Sequence, residues 1–155
     1  MLHMFGGVMF AIVGYYLFFL LTKQQDRFFA AAVFGLCFSI AVAAVWEFFE
    51  FFMDFFPGMD MQNDRVISGM CSYLLGGDIG VTGRIDDIVS VLVNGVPLPV
   101  DGYIDIGLID TMLDMLLESL SAAITCVLLC RDGGRHPLIY RGKHLAVAED
   151  GPTVL

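Results

Sequence analysis

Three apolar runs, each about long enough to cross a bilayer, constrain this chain more than any other feature. A helix needs roughly 20 apolar residues to span the hydrocarbon core. Inside lipid every backbone N–H and C=O must also be satisfied within the spanning structure, which restricts such runs to helices or closed barrels. The first run is Leu2–Thr22, LHMFGGVMFAIVGYYLFFLLT, broken only by His3. It has neither the basic leading region nor the small-residue cleavage pattern of a signal peptide. The second starts at Phe28 after the polar break KQQDR and continues through Trp46 into WEFFEFFMDFF, where Pro57-Gly58 ends it. The third, IGLIDTMLDMLLESLSAAITCVLLC, covers residues 106–130 and stops at Arg131-Asp132-Gly133-Gly134. These runs imply an all-α integral membrane bundle of three spans, at about residues 2–22, 28–56 and 106–130.

Composition agrees. The chain is 57% hydrophobic and 16% charged, against about 25% charged for soluble domains, and its mean hydropathy is +0.77. A net charge of −9 argues against nucleic acid as a partner, because phosphate neutralisation needs clustered Lys and Arg. Cys37, Cys71, Cys126 and Cys130 show no C-x-x-C and no disulfide framework, and those within the apolar runs read as small hydrophobes.

Between the second and third runs, residues 58–105 form a polar insert rich in Gly and Asp, expected to be partly β. Within SVLVNGVPLPV, Asn94-Gly95 between β-branched residues predicts a two-residue hairpin. Pro97 and Pro99 confine its returning strand to an edge. Residues 131–155 have no apolar periodicity and are expected to form a flexible cytoplasmic tail. Basic residues set the orientation. Lys23 and Arg27 occupy the first loop and Arg131, Arg135, Arg141 and Lys143 the tail, whereas the insert carries only Arg65 and Arg84. The first loop and tail are therefore expected in the cytoplasm and the insert outside, in a multi-pass membrane protein.

The acids are unusual for lipid. Glu47, Glu50 and Asp54 fall within about a 60° arc of the second helix at 100° per residue. Asp110, Asp114 and Glu118 recur every four residues on the third. The second run ends at its acids and the third begins with them, so both stripes are expected at the outer side of the bundle, which His3 also reaches. An acid at mid-span costs on the order of 3 kcal/mol unless protonated or paired, and six carboxylates in a small volume cannot all stay ionised. No basic residue lies in any span beside them. A cation, shifted protonation or a water-filled cavity has to relieve them. The bland reading is that Glu50, Asp54 and Asp105 are solvated interfacial groups hydrogen-bonded to helix ends, with Asp105 and Asp110 favouring the third helix's N-terminus through the helix dipole.

The same residues carry a resemblance. H-x-x-G-G at His3 to Gly7, WEFFEF, DMQ at Asp60 to Gln62, and GYIDIGLIDTMLDM at Gly102 to Met115 together resemble the YjdF-like family of bacterial multi-span membrane proteins. The resemblance implies a shared set of His3, Glu47, Glu50, Asp110 and Asp114, with Gln62 in the polar loop; it adds less for Asp54 and Glu118. It also implies further spans ahead of the histidine helix. Glu118 and Ser121 depart from it, standing where an amide and a glycine are expected.

These observations converge on an outer-side site in which His3, Glu47, Glu50, Asp110 and Asp114 bind a divalent cation. Asp54, Gln62 and Glu118 form an adjoining polar cluster. Carboxylate oxygens suit hard cations, and one imidazole favours Mn²⁺ or Zn²⁺ over Ca²⁺. Such an ion could hold a lipid headgroup phosphate. No separate nucleophile is recognisable, so no catalytic residue is assigned. Two competing readings are a proton- or ion-coupled transport component using Asp114 and Glu118, and a non-catalytic membrane subunit. In the latter, Gly6-Gly7, Ser119, Ser121, Ala122 and Ala123 allow close helix packing, with a homo-oligomer or a membrane partner.

Overall fold

A computed structural model describes residues 2–24 and 26–132. Three long helices dominate it: α1 (Leu2–Thr22), α2 (Phe28–Phe55) and α3 (Leu108–Asp132). Each is long and apolar enough to cross a membrane. Within their most apolar stretches only 28%, 28% and 22% of the residues are buried, so most of their apolar surface needs lipid or a partner to cover it. The expected tail falls largely outside the described residues, since α3 runs on to Asp132.

The chain divides into two compact units, Met1–Glu47 with Asp114–Leu155, and Phe48–Leu113. In the first unit the helices meet over small residues. Ala11, Tyr15, Ala31, Ala32, Ala122 and Cys126 form the buried core, and Cys126 serves there as the small hydrophobe expected. A methyl group added to Gly7 would overlap Ser121 Oγ and the Glu118 carbonyl of α3. One added to Gly14 would stand 2.8 Å from both Gly35 Cα and Phe38 Cβ of α2. With no hydrophobic driving force between helices in lipid, such close backbone approach is what holds them. Tyr15 adds a long-range bond, its hydroxyl donating to the Leu129 carbonyl at 3.3 Å.

The second unit contains the insert, built from three short antiparallel ladders. β1 (Val66–Ile67) pairs with β6 (Tyr103–Ile104), and β2 (Met70–Ser72) with β3 (Gly83–Ile85). β4 (Leu92–Val93) pairs with β5 (Val96–Pro97) around Asn94-Gly95. Asn94 and Gly95 take φ of 53° and 80°, the left-handed pair a two-residue hairpin turn requires. All four cysteines are free thiols.

Gly6 and Gly7 test the packing account. A methyl at Gly6 would meet only the Glu118 carboxylate, at 3.7 Å, an ordinary contact with a side chain that can shift. One at Gly7 meets backbone. Gly6→Ala should therefore leave thermal unfolding in detergent nearly unchanged. Gly7→Ala should destabilise by about 1–3 kcal/mol, the usual cost of overpacking.

Candidate functional site

The first unit gathers side chains from all three helices. His3 enters from the first turn of α1, Glu47 from α2, and Asp114 and Glu118 from successive turns of α3. One ligand atom each from His3, Glu47 and Asp114 lies within 4.8 Å of the others. His3 Nε2 stands 3.1 Å from Asp114 Oδ2, while Nδ1 faces Glu118 Oε2 at 4.0 Å. The imidazole thus sits between two carboxylates separated by one helical turn. Glu47 and Glu118 are 5% and 4% exposed; His3 and Asp114 are half-buried.

Glu118 is held from behind. Ser39, fully buried on α2, places its hydroxyl 3.4 Å from Glu118 Oε1 and 3.3 Å from the Gly7 carbonyl. Having one proton, that hydroxyl donates to either acceptor in turn or shares the bond. The absent side chain at Gly6 leaves room for the Glu118 carboxylate beside α1. Glu118 is therefore nearer His3 than its departure from the family pattern implied. Sequence reasoning alone misses Ser39. Its signal is a lone hydroxyl in an apolar run, about two turns before Glu47 on the same helix.

The remaining predicted residues belong to the second unit. Glu50 is buried there, 8% exposed. Asp54 accepts from the backbone N–H groups of Met61 and Gln62, at 2.6 and 2.8 Å, so it fastens the loop leaving α2. Gln62 donates through Nε2 to Thr111 Oγ1 at 2.7 Å. Asp110 accepts from Asn63, backbone and side chain, both at 3.2 Å. It also pairs with Arg65 at 3.6 Å. The spans themselves contain no basic residue near the acids, but the insert supplies one: Arg65 relieves Asp110 without a metal. Asp105 fastens the other end of the insert, with Oδ1 accepting from Arg65 N–H at 2.7 Å and Oδ2 from Ile109 N–H at 2.8 Å. The Ile109 bond occupies one of the N–H groups left open at the start of α3. Burial alone would raise the Asp105 carboxyl, but the N–H groups of Arg65, Ile109, Asp105 itself and Gly107 hold it below the ordinary value.

Span-length apolar helices enclosing buried carboxylates define an integral membrane protein. The chain belongs to the family described as Predicted membrane protein (DUF2238), whose model matches residues 1–134 and is consistent with the YjdF-like resemblance. No curated protein matches the chain, and no solved structure does.

The Asp105 clamp has a pH signature. Its folded carboxyl lies below the ordinary value of 3.8, so its stabilisation is complete above that pH and is lost as pH falls through the lower folded value. Thermal unfolding of wild type and Asp105→Asn should differ at pH 6. The difference should shrink as pH is lowered below 3.8 and the wild-type carboxylate is protonated.

Proposed function

We propose that this protein binds a divalent cation, Mn²⁺ or Zn²⁺ in preference to Ca²⁺, through His3, Glu47 and Asp114, and that the ion presents open positions to a lipid headgroup phosphate. The observation that carries the reading is the convergence of those three ligand atoms within 4.8 Å. An ion with bonds near 2.1 Å sets neighbouring donors roughly 3.0–3.5 Å apart and opposite donors about 4.2 Å apart. A pair standing at the 4.8 Å limit would close by about 0.6 Å to sit opposite across such an ion, or by about 1.3–1.8 Å to sit as neighbours. Glu118 strengthens the reading. A metal-bound histidine usually gives its second nitrogen to a carboxylate, which fixes the ring. With Nε2 3.1 Å from Asp114 and Nδ1 4.0 Å from Glu118, His3 needs Glu118 to approach by about 1 Å to complete that arrangement. Three protein ligands leave coordination positions open, as a site that handles a ligand requires. The ion supplies positive charge for an anionic oxygen; the chain supplies orientation and an apolar surround.

The protein is a multi-pass component of a bacterial cytoplasmic membrane on this reading, with the insert outside and Lys23, Arg27 and Arg131 on the cytoplasmic side. A single cysteine introduced as Ser90→Cys, in a cysteine-free background, should react with an impermeant reagent on intact cells. Protection of that position would reverse the orientation. One observation also favours a second reading. The Glu118–His3–Asp114 series offers a proton path, so a metal-free protein would point to proton relay.

Metal analysis of the purified protein should give one tightly held Mn²⁺ or Zn²⁺, and chelator should lower the unfolding temperature. A ligand present at 100 times its Kd stabilises by about 2.7 kcal/mol. His3→Ala, Glu47→Gln and Asp114→Asn should each lose both the metal and the chelator response. Glu118→Gln should retain metal with affinity about 10–100-fold weaker, as expected for loss of an orienting carboxylate. A wild type indifferent to chelator, with carboxylate variants equally or more stable, would refute the cation reading.

A further inference from the structure

A cavity of about 340 Å³ lies in the second unit, where α2 gives way to the polar loop. Phe51 and Phe55 contribute two near-parallel rings, with centroids 6.0 Å apart and planes at 18°. Met59 and Ile106 add apolar surface. The polar lining is Asp54, Asp60, Gln62 and Asp64. Its hydrogen-bonding character is one-sided. The aspartates are acceptors, the Gln62 amide donates one N–H to Thr111, and among the described residues no Lys, Arg or His lines the space. The nearest arginine in sequence, Arg65, pairs with Asp110.

We propose that this cavity binds an ammonium group carried on a partly apolar molecule. The complementary ligand must donate hydrogen bonds, carry positive charge and tolerate aromatic and aliphatic walls. A hydrated metal ion meets the first two conditions and not the third. The acids are also too dispersed for one ion. Among the described residues only His3, Glu47 and Asp114 bring ligand atoms within 4.8 Å of one another, and Asp54, Asp60 and Asp64 do not. An ammonium bridges wider spacings by its three N–H donors and gains attraction from a ring face, as on Phe51 or Phe55. The volume is at the lower end for small-molecule pockets, the size of a headgroup or a short amine. Carboxylate crowding adds to this: desolvation and the neighbouring Asp60, Asp105 and Asp54 hold the exposed Asp64 carboxyl above its ordinary value, although the Gly107 N–H acts to lower it. A cation would relieve it. The ammonium can come from an aminophospholipid headgroup or from a soluble amine.

Native mass spectrometry of the detergent-solubilised full chain, in chelator so that metal binding plays no part, distinguishes these cases. The probes are phosphatidylethanolamine, its N-acetylated derivative, which keeps the phosphate and chains but loses the charge, and free ethanolamine. Wild type should bind phosphatidylethanolamine at least tenfold more tightly than the N-acetyl lipid. The preference should collapse in Asp60→Asn/Asp64→Asn, which neutralises two exposed carboxylates of the lining, and persist in Asp86→Asn, outside the cavity. Selective binding of the lipid alone identifies a headgroup as the occupant; equal occupancy by ethanolamine identifies a soluble amine. Equal affinity for the two lipids, together with no ethanolamine binding, would overturn the proposal even if the double variant failed to fold.

Discussion

Close backbone approach over small residues holds the helices of the first unit and brings His3 of α1 beside the α3 carboxylates. Glu118 lies near the middle of an apolar helix and is 4% exposed, where an isolated charge costs several kcal/mol. It is tolerated because an imidazole from α1 and a hydroxyl from α2 both reach it. Three helices thus converge on one side chain. Glycine makes that convergence possible: Gly7 lets α1 approach the α3 backbone, and Gly6 leaves space for the carboxylate itself. Packing and polar chemistry are the same problem here, since bulk at Gly7 would part the two helices that carry His3 and Glu118.

The second unit handles its acids differently. Asp54, Asp105 and Asp110 spend their oxygens on backbone amides, Asn63 and Arg65, and so tie both ends of the insert to the helices that carry it. Carboxylates that looked alike in sequence therefore divide by partner. Those fastened to amides and Arg65 are structural clamps. Glu47, Asp114 and Glu118 surround an imidazole.

Which features could be read in advance follows from how local their causes are. The helices were legible because the length of an apolar run depends on the run alone, and the Asn94-Gly95 turn because its two residues suit the left-handed backbone it needs. The pairing of Val66 with Ile104 was not, since two-residue strands so far apart leave no periodic signal. The acidic stripes were visible from four-residue spacing, but their partners were not. In sequence Arg65 is one of two basic residues in an acidic insert, and Ser39 a lone hydroxyl in an apolar run. Both acquire meaning only when distant segments meet. Glu118 shows the limit of a family pattern, for a departure from it lies beside the histidine that the pattern marks.

The proposed cation site rests on His3 supplying a nitrogen ligand to the ion in the first unit. Pulsed electron paramagnetic resonance of the purified protein loaded with one equivalent of Mn²⁺ tests it most directly. The account predicts a single bound Mn²⁺ with nitrogen modulation from one imidazole, absent in His3→Ala. Failure to bind Mn²⁺, or a bound ion whose nitrogen signal survives removal of His3, would contradict it.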